Sequence, residues 1–282
     1  MRLLYAGGGD IAHRTMEQLK HTAQAQWCLR RSAGDQSFLP ANAQYIQADL
    51  TQPNSLEALP DAMSHVLYTA TPDGRTPEAY QAVFNQGLKN LLNALDLSTL
   101  KRFVFVSSTA VYGPSATWQD ETSPTPAPAF NGQALLKAEE FLRQRLGDKL
   151  VVLRFTGIYG LERMTLIQRL KAGNVQVAAS KGNWANRIHI DDVVQACTHV
   201  LQRPDANGVY VGTDDTPIEI YTLYQQLAAW LDAPEPIANL DAPAQGKRFR
   251  NQRLKDSGWT PKWPDTLEGY RAIYQQLGLL RQ

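Results

Sequence analysis

The stretch LLYAGGGDIAHR, residues 3–14, constrains this chain more than any other. A short apolar run leads directly into three glycines, and the residues after them read as the start of a helix. Gly7, Gly9 and Ala12 stand in G-x-G-x-x-A spacing. At a strand-to-helix turn each has a physical role. Gly7 permits the tight turn, Gly9 lets backbone approach a bound group, and small Ala12 lets the helix pack closely on the sheet. Such a turn aims the unpaired N–H groups around Asp10 and Ile11 at an anion, which the helix dipole also favours. A purely structural glycine turn would carry the same letters, so the remaining chain has to decide.

Short runs rich in Val, Leu, Phe and Tyr recur at 3–6, 26–30, 44–48, 65–70, 102–108 and 150–155 and read as buried strands. Helical patterns separate them. The clearest is entered through Thr76 as N-cap and Pro77 at the first helical position, and holds Tyr80, Phe84, Leu88, Leu91 and Leu95 on one face. Strands alternating with helices imply crossovers and a parallel sheet. The expected architecture is therefore α/β: a Rossmann-type, doubly wound parallel sheet over 1–157 and a smaller C-terminal substrate lobe over 158–282, from which about 187–212 returns to the main sheet. In that second part the pattern predicts a helix near 164–172, a strand near 175–178, a helix from about 190 and a strand at 208–212. The proline-rich stretches 124–128 and 233–243 read as loops.

Hydrophobic residues make up 43% of the 282 and charged residues 20%, a globular composition able to bury one large core or a core and a lobe. Lys and Arg number 28 against 27 Asp and Glu, so no basic stripe suggests nucleic acid and small molecules become the expected ligands. Cys28 and Cys197 lack a CxxC neighbour and read as core residues. The opening residues enter a strand at once, leaving no room for a signal peptide, and no apolar run approaches the ~20 residues of a membrane span. A cytoplasmic protein without a membrane partner is expected.

In this alternating context the glycine turn reads as a dinucleotide site, with a pyrophosphate on the helix N-terminus. The end of the second strand distinguishes the two nicotinamide cofactors, because an acid there binds the ribose 2′-hydroxyl whereas arginine accommodates a 2′-phosphate. Here it is LRRS, with Arg30 and Arg31 and no acid, so NADP is preferred over NAD. Two solvated arginines at a strand end are the other reading. Asp49 and Leu50, in QADLTQ after the third strand, are placed to meet the adenine edge, although Asp49 would be equally ordinary as a surface-loop acid.

The segments AGGGDIA, ADL, YTATP, VFVSSTAVYG, LLKAEEFL, LRFTGIYG, NRIHIDDVV, GVYVGTDD and RLKDSGWTPKWP occur in this order along nearly the whole chain. Together they resemble an extended short-chain dehydrogenase/reductase of the NAD-dependent epimerase/dehydratase type, and within it an atypical branch. The resemblance implies that Ala70 and Thr71 of YTATP, and Thr156 and Ile158 of RFTGIYG, flank the cofactor. It also implies a catalytic Ser, Tyr and Lys: the Tyr exchanges a proton with the substrate oxygen, the Lys lowers its pKa and holds the nicotinamide ribose, and the Ser orients the substrate. The Ser corresponds to Ser108 and the Lys to Lys137. The Tyr corresponds to Gln133, and no tyrosine lies anywhere in PAPAFNGQALLKAEE.

An amide does not trade protons near neutral pH, and losing a positioned acid/base forfeits ~10²–10⁴ in rate. Three outcomes are open. The chain remains a reductase or epimerase with the proton handled by Tyr112, His189, or a water held by Ser108 and Gln133; it binds NADP as a sensor without turnover; or the site is vestigial and the chain is an interaction module. Retention of Ser108, Lys137 and RFTGIYG argues against the last. Lys137 has an ordinary reading as a helix lysine pairing with Glu139 or Glu140, and Tyr112 as a residue packed under its loop. Arg187 is a candidate to hold an anionic substrate group bidentately, while His189 is either a second substrate contact or a pin at the lobe junction. With only about 125 residues after LRFTG, a substrate smaller than a sugar nucleotide is expected. By resemblance, the helices at 77–96 and 131–146 would pair in a homodimer.

Overall fold

A computed structural model describes residues 1–243 and 246–280. In chain order the elements are β1 Arg2–Ala6, α1 Asp10–Gln18, β2 Ala25–Arg30, β3 Ala43–Gln47, β4 His65–Tyr68, α2 Pro77–Gln81, α3 Leu88–Ala94, β5 Arg102–Ser108, β6 Trp118–Gln119, α4 Phe130–Leu146, β7 Leu150–Phe155 and β8 Gly157–Tyr159. They continue with α5 Thr165–Lys171, β9 Gln176–Ala178, β10 Trp184–Ala185, β11 Arg187–His189, α6 Ile190–Gln202, β12 Gly208–Gly212, β13 Ile218–Glu219, α7 Ile220–Trp230, β14 Ile237–Asn239, β15 Arg248–Phe249, α8 Gln252–Asp256 and α9 Thr266–Gln276.

Seven strands form the main parallel sheet in the order β3-β2-β1-β4-β5-β7-β12. The strand order reverses between β1 and β4, and in open α/β sheets the crevice beyond the carboxyl ends at such a point is where ligands bind. Ala6, at the end of β1, is in register with Leu29 on one side and Tyr68 on the other. The strands are apolar because helices cover both faces: Leu3, Leu4, Val66, Leu67, Phe103, Val104 and Phe105 are fully buried. Cys28 in β2 and Cys197 in α6 are buried core residues, as expected. No helix among the described residues is long and apolar enough to cross a membrane.

The chain divides into two compact units. The first comprises 1–112, 125–154 and 194–210; the second comprises 113–124, 155–193 and 211–282. The segment 113–124, which sequence reasoning left within the nucleotide domain, thus belongs to the second unit. The strand expected over 65–70 ends at Tyr68, because Thr69 and Ala70 turn away beside Gly7. The expected Thr76 cap is present, its side chain accepting from the Ala79 N–H at 3.2 Å. The helix it opens continues through a wide π-helical turn at Ala82–Gly87 into α3. Inside that turn the Tyr68 hydroxyl donates to the Val83 carbonyl at 2.7 Å, an insertion of the kind that widens a helix locally. The stretch 124–128 is without regular structure as expected, but 233–243 contains β14, paired in parallel with β9.

The second unit has its own core, in which Ile167, Leu170, Leu223, Leu227 and Tyr274 pack together and the Tyr159 and Tyr270 rings stack at 4.4 Å. Carboxylates pin its C-terminal chain. Asp192 accepts from the backbone N–H groups of Lys262 (2.6 Å) and Trp263 (3.1 Å), and Asp214, only 2% exposed, accepts from the Thr266 hydroxyl.

Burial pushes the Asp214 carboxyl up to about 7; nearby Asp265 and Asp215 add to the rise, against the Thr266 hydrogen bond and Arg187. Because the folded pKa lies above the unfolded value, the stability this group contributes is complete below about pH 4 and is lost as pH rises through about 7. Asp192, pushed up to about 6 mainly by burial, acts in the same direction. Urea denaturation between pH 5 and 8 is therefore expected to show stability falling with pH, and Asp214→Asn should flatten the slope by on the order of 2–4 kcal/mol across that range. Equal slopes in the two proteins would contradict the assignment.

Candidate functional site

The β1–α1 turn has the geometry that the glycine spacing predicts. Gly7 has φ of 115°, and a Cβ there would sit 2.5 Å from the Ala70 backbone nitrogen, so only glycine fits on both counts. Its carbonyl accepts from the Thr69 hydroxyl at 2.8 Å and its N–H donates to the Leu29 carbonyl at 3.2 Å, which fixes the turn between the ends of β4 and β2. Gly9 is the N-cap of α1 and supplies no side-chain cap, and the space where its Cβ would project is open for 4 Å. The first turn of α1 therefore opens without a side-chain cap. The Asp10 carboxylate is held by Arg14 at 2.5 Å, and Ala12 is fully buried against the sheet.

At the end of β2 the arginines differ in setting. The Arg30 guanidinium lies 5.3 Å from the Tyr45 ring centroid and donates to the Ser32 hydroxyl at 3.0 Å. His13, from α1, shares a 2.9 Å hydrogen bond with the Tyr45 hydroxyl, and its pKa is lowered by partial burial and then by Arg30. Arg31 is exposed and forms a bidentate pair with Asp73, both contacts at 2.5 Å. The Asp49 Oδ1 accepts from the N–H and hydroxyl of Thr51, closing a local turn. The Leu50 carbonyl accepts from buried Asn90 of α3 at 2.8 Å. Sequence reasoning missed Asn90, whose only signal is a polar residue on the apolar face of its helix. Ala70 is half-buried against Gly7, and Thr71 is exposed.

Ser108, Gln133 and Lys137 lie on β5 and α4, both in the first unit. Gly132 lets α4 come directly against the turn after Ser108: a Cβ at 132 would lie within van der Waals radii of the Ala110 carbonyl oxygen. The Ser108 Oγ accepts from the Ala110 N–H at 3.1 Å and remains free to donate. Gln133 is exposed, and its side-chain amide donates to the Ala127 carbonyl at 3.2 Å. Ala127 is buried with φ of 28°, a conformation L-residues rarely adopt, and its N–H donates to the Val111 carbonyl at 3.0 Å. The glutamine thus braces a strained loop beside the turn that carries Ser108.

Lys137 is exposed and forms no ion pair among the described residues. Both glutamates offered as its partners are engaged elsewhere: Glu140 with Arg143 at 2.7 Å, Glu139 with Arg154 at 2.6 Å. Glu139 and Arg154 are 7% and 6% exposed and anchor a buried network. The Ser107 hydroxyl donates to Glu139 at 2.6 Å, and Arg154 donates to the Tyr112 hydroxyl at 2.8 Å with its guanidinium 5.1 Å from that ring. Ser107 precedes Ser108 on β5, and Glu139 lies two residues beyond Lys137 on α4. The network therefore ties together the two elements that carry the candidate catalytic residues.

Two candidates are not presented to a ligand. Tyr112 is fully buried with its hydroxyl committed to Arg154, so it packs beneath its loop rather than meeting a substrate. His189 is 6% exposed, accepts from the Asp191 N–H at 3.1 Å and packs against Tyr159 and Trp263. These partners all lie within the second unit. In the second unit Thr156 is buried, donating from its backbone to the Gly212 carbonyl at 3.1 Å and from its hydroxyl to Thr213 at 3.2 Å. Ile158 and Arg187 are half-buried and line one cavity. Among the described residues no cluster of His, Cys, Asp or Glu could hold a metal ion.

The model of the NAD dependent epimerase/dehydratase family matches residues 7–211, from the glycine turn to the last sheet strand. The chain belongs to this family. Among curated proteins it is 27% identical to Protein YeeZ of Escherichia coli K12 over 217 residues, 76% of each chain. It is 24% identical over 255 residues to the N-acetyl-alpha-D-glucosaminyl-diphospho-ditrans,octacis-undecaprenol 4-epimerase of E. coli O157:H7, covering 86% of this chain and 75% of that one. A solved chain from Methylobacillus flagellatus, assigned to the NAD-dependent epimerases/dehydratases, superposes with a TM-score of 0.82 at 30% identity over 98% of both chains. The Thermus thermophilus UDP-glucose 4-epimerase, solved with NAD, shares the fold with a TM-score of 0.82 at 21% identity over 99% of both chains.

The buried network makes a stability prediction. Glu139→Met alone or Arg154→Met alone should cost about 3–5 kcal/mol, because each leaves an uncompensated buried charge. The double variant should cost clearly less than the sum. Additive losses in a urea-denaturation cycle would show that the two side chains do not act as a pair.

Proposed function

We propose that this chain binds a nicotinamide dinucleotide at the β1–α1 turn, NADP in preference to NAD, and acts as an oxidoreductase or epimerase/dehydratase on a small carbonyl or hydroxyl compound. The observation that carries the reading is the uncapped N-terminus of α1: Gly9 offers no capping side chain and leaves open space over the first-turn amides. Those amides would take the pyrophosphate. Leu50, held by Asn90, would form the adenine wall together with Asp49, and Ala70 and Thr71 would flank the diphosphate beyond Gly7. When bound, the nicotinamide supplies or accepts a hydride.

Lys137, free of any carboxylate partner among the described residues, is available to the nicotinamide ribose, and the Ser108 hydroxyl to a substrate oxygen. By resemblance, Thr156 and Ile158 would border the nicotinamide. Gln133 braces Ala127 and carries no titratable proton, so proton transfer falls to a water between Ser108 and Gln133. That same commitment of Gln133 favours a second reading, in which the chain binds NADP as a sensor without turnover. A homodimer through the helices at 77–96 and 131–146 belongs to the proposal in either case.

The 2′-phosphate would be read by Arg30 and Arg31, with Asp73 competing for Arg31. Calorimetry of the double variant Arg30→Ala/Arg31→Ala should show NADPH affinity reduced about tenfold or more and NADH affinity unchanged, while Asp73→Asn should tighten NADPH alone. An unchanged NADPH-to-NADH ratio in both variants would refute the phosphate role. Turnover on a panel of carbonyl compounds separates the two readings. If the chain is an enzyme limited by its missing acid/base, Gln133→Tyr should raise turnover by ~10² or more; tight NADPH binding with no turnover in either protein would leave only the sensor.

A further inference from the structure

A cavity of about 460 Å³ lies wholly within the second unit, within the ~300–1,000 Å³ range of small-molecule sites. Arg187 opens onto it. In the parallel pairing of β8 with β11, Arg187 stands opposite Gly157, and a Cβ at 157 would come within 2.6 Å of the Arg187 Nη1. The glycine is what lets the guanidinium lie across β8. Arg187 spends one N–H on the Asn186 carbonyl at 3.3 Å and interacts with the Tyr270 hydroxyl, and among the described residues no carboxylate pairs with it.

Most arginines this far from water are matched by an acid, since a half-buried charge without a partner is costly. No described carboxylate lies within ion-pair distance of Arg187, and the Asp214 carboxyl feels its charge only from farther away. Tyr270 is buried and pushed up to about 12 by that burial, with Arg187 pulling the other way through charge and hydrogen bonding. At neutral pH it is thus an uncharged phenol that can donate. Arg187 and Tyr270 both line the cavity and carry donors, and Tyr224 and Tyr159 add aromatic lining. Glu162 and Arg163 stand at its exposed rim.

We infer that this cavity binds a small organic oxyanion, a carboxylate or a phosphate monoester, gripped by the Arg187 fork with Tyr270 beside it. Ile158, which lines the same cavity, belongs to the segment that by resemblance flanks the cofactor. That the bound anion is the reacting substrate therefore rests on the proposed function; that the cavity selects an oxyanion does not. The substrate class becomes a small acid or phosphate ester bearing a carbonyl or hydroxyl group.

The test is calorimetry on the full chain with three probes: pyruvate, glycerol 3-phosphate and uncharged hydroxyacetone, each with and without saturating NADPH. Pyruvate or glycerol 3-phosphate should bind at least about tenfold more tightly than hydroxyacetone, and which of the two wins separates carboxylate from phosphate. Arg187→Gln should lose at least about tenfold in affinity for that anion, and Tyr270→Phe should lose less, with NADPH affinity unchanged in both. The inference is overturned if hydroxyacetone binds as well as the anions, if a folded Arg187→Gln protein binds them as the parent does, or if neither anion binds below about 10 mM. The comparison among probes on the parent protein needs no variant to fold. Anion binding without any dinucleotide binding would remove the proposed function and leave the cavity's assignment standing; dinucleotide binding without anion selectivity would do the reverse.

Discussion

The close approach of Gly7 to Ala70 governs the rest of the nucleotide-binding unit. Backbone at the end of β1 lies so near backbone after β4 that no side chain fits between, and the turn is left-handed at the residue where this happens. The contact lies where β1 ends at the reversal of strand order, and the chain leads from it into α1, which opens without a side-chain cap. A larger residue at position 7 would clash with the Thr69–Ala70 peptide and require a strained φ, so the geometry of the proposed anion site is fixed by main chain rather than by movable side chains. Pre-organised amides of this kind hold a phosphate without first having to be ordered.

Around that turn, the side chains that most resemble catalytic groups divide into those left available and those already engaged. Ser108 and Lys137 retain free hydrogen-bonding capacity. Gln133 and Tyr112 are engaged, one bracing the backbone of Ala127 and the other closing a buried network with Arg154, Glu139 and Ser107. Under the proposed function, a lysine and a serine are left available to the ribose and the substrate, with no titratable side chain at position 133. In a small-molecule enzyme this shifts the demand onto positioning and water; in a sensor it removes a reaction that would consume the signal.

The sheet strands were legible because each is an apolar run of four to seven residues between turn-formers, and the Thr76–Pro77 helix start because a cap and a fixed φ are local chemistry. Of the short strands of the second unit, the one near 175–178 was anticipated and most others were not, since two or three residues carry no periodicity and are paired by tertiary contacts alone. The glycine turn was readable for the same local reason. What the sequence hid were choices among equals: Glu139 and Glu140 are adjacent and chemically alike, yet one is buried against Arg154 of β7 and the other faces solvent with Arg143. Arg31 likewise reads as a free cation until the fold brings Asp73, 42 residues away, to meet it. Arg187 was identifiable as a candidate, but its lack of an ion-paired carboxylate among the described residues and its close approach to Gly157 exist only in three dimensions.

The most direct measurement is a crystal structure of the protein with NADPH. The account predicts the pyrophosphate against the backbone N–H groups that open α1, with the nicotinamide ribose reaching Lys137. A dinucleotide bound elsewhere, or no bound dinucleotide from crystals grown at millimolar NADPH, would contradict it.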